Sequence, residues 1–219
     1  MLYKSIIFDL DGTLLDTLPG LARTGNAVLT RFGHPLHPAD AYRQFVGDGM
    51  DKLVERMLPE GIDETARHRA AMLFREIYTA TWREECRPYP GIIAMLDQLR
   101  GSGVQLAVLS NKPHPFTEQF VEAFLGRSRF TVVFGERPGW PKKPDPTVAL
   151  MILDQLACPA EHSVFVGDSA VDILTGRGAG MAAFGAGWGF RGAAELLASG
   201  AQKVLAEPLE LIDYVSITP

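Results

Sequence analysis

Clustered cysteines, long charged runs and long apolar runs are all missing from this chain. Two cysteines in 219 residues, Cys86 and Cys158, are too few and too far apart for a disulfide framework or a zinc site. They read instead as small buried side chains in a reducing compartment. Without basic or acidic blocks, a net charge of −5 leaves no footprint for nucleic acid or for a membrane surface. No apolar stretch approaches the length that spans a bilayer. The first predicted strand starts almost at once, which leaves no room for a signal peptide. These absences predict a cytoplasmic protein that acts without nucleic acid or membrane.

Material for a core is plentiful. Hydrophobic residues make up 47% of the chain, and a chain of this length buries roughly 70% of its unfolded surface. One large domain, or a core domain with a smaller insert, is expected.

The chain is organised around Asp9-Leu10-Asp11-Gly12-Thr13, which follows the apolar run Ser5-Ile6-Ile7-Phe8. That run reads as a buried strand. Two carboxylates two residues apart point the same way if strand geometry persists that far. Gly12 permits a sharp turn, and Thr13 adds a hydroxyl beside the acids. Carboxylates held this close repel unless a cation or proton lies between them. Asp and Gly are also ordinary turn residues, and the five residues alone are open to that reading.

After the motif the pattern is helical. Leu18, Leu21, Ala22, Val28, Leu29 and Phe32 recur at helical spacing, with Pro19 suited to a first turn. Further helices are predicted over 41–45, 50–58 and 66–82, and no strand between about 15 and 87. An all-helical stretch there reads as an insertion, closed by Arg87-Pro88-Tyr89-Pro90-Gly91. From Ile92 onward helices alternate with strands at 104–109, 130–134, 163–166, 181–184 and 203–205, which argues for a parallel sheet with crossover helices. Polar motifs fall at the strand ends or in a long loop on that side: Ser110-Asn111-Lys112-Pro113, Lys143-Pro144 and Gly167-Asp168-Ser169 with Asp172. Open α/β sheets bind ligands at those ends. Asp9, Asp11 and Asp168 form an all-oxygen set suited to a hard cation such as Mg²⁺. Ser110 and the amides after it suit phosphoryl oxygens, and Lys143 brings positive charge to an acidic centre. Together they describe a site for phosphoryl transfer.

The order and spacing of these four motifs resemble the haloacid dehalogenase-like superfamily, and within it the phosphoglycolate phosphatase branch. The likeness covers nearly the whole chain. Asp9–Thr13 resembles the first family motif, Ser110-Asn111 the second, Lys143 the third, and Gly167-Asp168-Ser169 with Asp172 the fourth. Asp16, Pro19-Gly20-Leu21, Val46-Gly47-Asp48-Gly49 and Asn111-Lys112-Pro113 are closer to the phosphoglycolate phosphatases. The resemblance implies an α/β fold: a Rossmann-like parallel sheet core (three-layer α/β/α) from residues 1–14 and 88–219, with an inserted all-α cap at 15–87. It implies an Mg²⁺-dependent phosphatase that hydrolyses a small phosphate monoester, 2-phosphoglycolate first, through an aspartyl-phosphate. Asp9 would be the nucleophile and Asp11 the general acid and base. Asp9, the Asp11 carbonyl and Asp168 would hold the metal. Ser110, Lys143, Asn111, Gly12 and Thr13 would bind the phosphoryl group. Asp172 would orient Lys143 or bind a metal water, or simply stabilise a helix start.

Asp11 favours phosphate esters, since dehalogenases and phosphonate-cleaving relatives lack an acid there. A sugar-phosphate mutase, a pyrophosphatase and a catalytically silent phosphate-binding protein are the competing readings. The expected partner is a small phosphorylated metabolite, and the expected state a monomer or homodimer. Other polar residues read as structural. His34 and His37 are expected to be solvated, His68 and His162 lack ligand partners, and His114 reads as an exposed loop residue. Trp188, Phe190 and Arg191 either meet substrate or pack their Gly-rich loop. Arg43, Lys52 and Arg56 read as solvated helix faces.

Overall fold

Ser5–Phe8 has no polar face, and all four residues are buried, as a strand covered on both sides requires. This strand, β1, lies inside a six-stranded parallel sheet in a computed structural model that describes residues 2–215. Its partners are β4 (Gln105–Pro113), β5 (Val132–Glu136), β6 (Ser163–Gly167), β7 (Ala182–Ala186) and β8 (Lys203–Leu205), in the order β5-β4-β1-β6-β7-β8. The chain leaves β1 for one side of the sheet, through β4 and β5, and then crosses to the other side at β6. The topological switch therefore falls at β1, where an open sheet forms its ligand crevice. Register places Phe8 beside Val108 on β4 and Val166 on β6. The first and fourth motifs thus follow β1 and β6 at the same end of the sheet, and the second lies in the last residues of β4 beside them.

Crossover helices cover the sheet: α5 (Ile92–Gly101), α6 (His114–Phe120), α7 (Thr147–Gln155), α8 (Ala170–Gly178) and α9 (Ala193–Ala198). Val148, Ala149, Ile152 and Leu153 of α7 pack with Ile7, Ala107, Leu109 and Phe165. The alternate strand residues Ile6, Phe8, Leu106, Val108, Val164 and Val166 are equally buried, so both faces are covered, as a three-layer α/β fold demands. The expected Rossmann-like architecture is what the structure has.

Contact density divides the chain into two units, residues 1–15 with 88–219, and residues 16–87. The second unit is helical: α1 (Leu18–Phe32), α2 (Tyr42–Phe45), α3 (Met50–Met57) and α4 (Glu64–Thr81). Leu21, Val28 and Leu29 of α1 are buried, as are Phe74 and Tyr78 of α4, and these two helices pack together. Asp63 caps α4, its Oδ1 accepting from Ala66 N–H at 2.8 Å. Arg43, Lys52 and Arg56 pair within this unit with Asp40, Glu55 and Asp48. His37 is a correction to its solvated reading: its Nε2 lies 2.8 Å from the Met57 carbonyl, and its ring meets Phe45 edge-on at 5.1 Å. His34 is likewise half-buried, stacked near Phe32.

Several element boundaries also differ from expectation. Short strands do occur at the edges of the insert, where β2 (Leu15–Asp16) pairs with β3 (Arg87–Pro88). Two-residue pairing between segments so distant carries no periodicity to read. β4 continues through Ser110–Pro113 because Pro113 stays in register with Glu136 after a shift at Leu109. β5 starts two residues later than predicted, and the turn after α6, Val121–Leu125, is π-helical. α9 lies where the sequence pattern predicts no helix. Among the described residues no helix is long and apolar enough to cross a membrane.

Candidate active site

Strand geometry stops at Phe8, so the turn, and not strand alternation, sets how Asp9 and Asp11 relate. The Asp9 amide still reaches β6, donating to the Val166 carbonyl at 2.9 Å. The Leu10 carbonyl then accepts from Leu14 and Leu15, both at 3.0 Å, and the chain doubles back. Gly12 sits at φ +87°, which an L side chain adopts only with strain. A Cβ there would also collide with the Asp168 carboxylate and the Phe190 ring. Glycine thus lets the motif lie directly against Asp168, which follows β6. Thr13 Oγ1 points back to Asp168 Oδ1 at 3.4 Å.

Lys143 arrives from the loop between β5 and α7, and its side chain is 2% exposed. Its ammonium donates to Asp9 Oδ1 at 2.8 Å and to Asp172 Oδ1 at 2.6 Å. The Asn111 side chain holds the Lys143 main chain from both sides: Oδ1 accepts from Lys143 N–H at 2.9 Å, and Nδ2 donates to the Lys143 carbonyl at 3.1 Å. Asp172 also closes a capping box at the start of α8. Its Oδ2 accepts from Ser169 N–H at 3.1 Å and from Ser169 Oγ at 2.7 Å. Two of the three readings open for Asp172, helix start and lysine partner, coexist on its two oxygens. Ser110 Oγ accepts from Lys112 N–H at 3.2 Å.

Burial dominates the electrostatics of this centre. It raises the Asp9 carboxyl to about 7, helped by the Asp172 charge and opposed by Lys143. Asp168 rises well above the ordinary range for the same reasons, burial first and then Asp172 and Asp9. Burial alone would lower Lys143, but the Asp172 and Asp9 carboxylates outweigh it and hold the ammonium above its ordinary value. Oxygens from Asp9, Asp168 and Asp172 lie within 4.8 Å of one another. Buried, crowded, hard oxygen donors fit a small divalent cation. Asp9, Asp168 and Asp172 each offer an oxygen to such a cluster.

The family model for the haloacid dehalogenase-like hydrolases matches residues 6–186. The chain belongs to that family. A phosphoglycolate phosphatase of Psychrobacter arcticus is 33% identical over 218 residues, covering 96% of this chain and 94% of the relative. One from Vibrio parahaemolyticus is 30% identical, covering 98% and 97%. A solved structure from Lactobacillus delbrueckii subsp. bulgaricus superposes with a TM-score of 0.92 at 29% identity, covering 99% of both chains. The expected membership and its similarity to phosphoglycolate phosphatases are therefore found.

Three features of this haloacid dehalogenase-like site lay outside the sequence reading. Lys112 donates to both Asp11 oxygens, at 3.0 and 3.1 Å. The Phe190 amide donates to Asp168 Oδ2 at 2.7 Å, and Trp188 Nε1 donates to the Thr13 carbonyl at 2.9 Å. The Gly-rich loop thus clamps both the first and the fourth motif, and Gly189 leaves space that a Cβ would take from Asp168. A strand-end aromatic between glycines was the available signal, but its partner was not legible. His114 corrects its reading as an exposed loop residue. It opens α6 half-buried, with Nδ1 accepting from Gly135 N–H at 3.2 Å and Nε2 2.7 Å from an Arg137 terminal nitrogen. Burial and the Arg137 charge lower its pKa.

Proposed function

We propose that this hydrolase acts on a small phosphate monoester, with 2-phosphoglycolate as the leading substrate, through an aspartyl-phosphate on Asp9. The observation that carries the reading is the Lys143 ammonium held between Asp9 and Asp172 in a buried acidic centre. The names of the two relatives support the choice of ester.

In the first step an Asp9 oxygen bonds to phosphorus as the bond to the leaving oxygen breaks. The leaving oxygen keeps the electron pair and takes a proton from Asp11. In the second step Asp11 takes a proton from water, which attacks phosphorus and frees Asp9 and inorganic phosphate. Lys143 and Ser110 hold the phosphoryl oxygens, Gly12 and Thr13 line the phosphoryl site, and Asn111 acts by fixing the Lys143 main chain. When bound by Asp9, Asp168 and the Asp11 carbonyl, Mg²⁺ supplies charge neutralisation between carboxylate and phosphate. Residues 15–87 serve as the cap that selects the ester. Two cysteines far apart in the chain provide no disulfide framework, which supports action in the reducing cytoplasm.

The test is phosphate release by the purified protein from 2-phosphoglycolate and a panel of small esters with Mg²⁺. Asp9→Asn is expected to abolish release with an unchanged circular dichroism spectrum. Rates within a few-fold of wild type would remove Asp9 as nucleophile. Transfer of phosphate between positions of a sugar, without release, would point to a mutase. No turnover on any ester would point to a silent binding protein.

A further inference from the structure

Lys112 stands between Asn111 and Pro113, and the proposed steps give it no part. Its side chain is nonetheless 4% exposed, where a surface lysine would extend into water. Burying an ammonium is costly unless a counter-charge meets it. The counter-charge here is Asp11, whose two oxygens accept from Nζ at 3.0 and 3.1 Å. The ammonium also stands 4.4 Å from the centroid of the buried Phe120 ring on α6. The main chain is pinned on both sides of the residue. Lys112 N–H donates to Ser110 Oγ at 3.2 Å, and the Lys112 carbonyl accepts from Thr117 Oγ1 at 3.1 Å. Gly135 on β5 allows this close approach, since a Cβ there would strike both the Lys112 carbonyl and Thr117.

An ammonium that meets both oxygens almost equally fixes where the far edge of the carboxylate lies, which a contact to one oxygen leaves looser. We propose that Lys112 is a positioning residue for the general acid and base: its ammonium meets both oxygens of the Asp11 carboxylate, stays with one when the other carries the proton, and so keeps the group at the place from which it serves the leaving oxygen. This rests on the reading of Asp11 given above. It separates Lys112 from Lys143: one cation orients the acid, the other the nucleophile.

The leaving group distinguishes this role from a structural one. As the Asp9–phosphorus bond forms, the bond to the leaving oxygen breaks and its electron pair stays on that oxygen. The alkoxide of glycolate needs the Asp11 proton, but p-nitrophenolate is stable without it. The ratio kcat/KM reports only the steps up to departure of the alcohol, so later hydrolysis does not blur the comparison. Lys112→Met preserves much of the side-chain volume and removes the charge. It is expected to lower kcat/KM for 2-phosphoglycolate by about 100-fold, within the range of general acid catalysis, and for p-nitrophenyl phosphate by less than about 3-fold. Asp11→Asn should show the same asymmetry more strongly. Adding Lys112→Met to Asp11→Asn should cost nothing further on 2-phosphoglycolate, because residues that act as a unit are not additive. Lys112→Gln serves in the same comparison if the methionine variant does not fold. Equal losses on the two esters, or additive losses in the double variant, overturn the role of Lys112 and leave Asp11 untouched. If Asp11→Asn does not separate the esters, or wild type hydrolyses neither, the underlying reading of the site fails and the inference with it.

Discussion

Lys143 Nζ donates to Asp172 Oδ1 at 2.6 Å, and both side chains are at most 2% exposed. Asp172 thereby joins the start of α8 to the cation that holds Asp9. Asp172→Ala removes a capping box and one of two counter-charges from a buried ammonium. The expected cost is about 3 kcal/mol in urea unfolding, with kcat reduced more than about 10-fold. Asp172→Asn keeps one acceptor oxygen, for Lys143 or for Ser169 but not for both, and should lose less than the alanine variant on both measures.

Buried carboxylates give the metal-free protein a defined pH response. The folded Asp9 carboxyl lies at about 7 against an ordinary 3.8, so the folded state binds this proton more tightly than the unfolded chain. Its contribution to stability is complete below the unfolded value and is lost as pH rises through about 7. Asp168 shifts in the same direction. In EDTA, Asp168→Asn should therefore melt above wild type near pH 8, with the gap closing toward about pH 5. A gap that is constant across this range would show that burial of the charge is not its source.

Metal removal tests the same cluster by activity. EDTA is expected to abolish phosphate release and Mg²⁺ to restore it, whereas Ca²⁺ should inhibit because it favours looser and higher coordination. Full activity in metal-free buffer would exclude the assignment of Asp9 and Asp168 as ligands.

The helical unit of residues 16–87 offers a separate test of specificity. Replacing residues 17–87 by a short Gly/Ser linker should leave weak activity on a small aryl phosphate, once the product is shown to fold. Preference for 2-phosphoglycolate over larger esters should disappear. A truncated core with the full-length preference order would move specificity out of the cap.

Local pattern was enough for most of the fold and for the identity of the polar motifs. An apolar run such as Ser5–Phe8 has one low-energy use, a doubly covered strand, and the alternation of such runs with helical periods implies a parallel sheet. Asp9, Ser110, Lys143 and Asp168 stand out in the sequence because their types and order suggest phosphoryl chemistry. Which atoms they bind does not. Lys112 with Asp11, Phe190 N–H with Asp168, Asn111 with the Lys143 main chain and Arg137 with His114 all join separate elements of the chain. Such pairs depend on the register of β4, β1 and β6 and on a few turns, including the one that Gly12 makes at positive φ. Residue order along the chain carries the periodicity of each element, which is a local steric property. Contacts between elements are decided by how several of them pack at once, and so they appear only in the folded molecule.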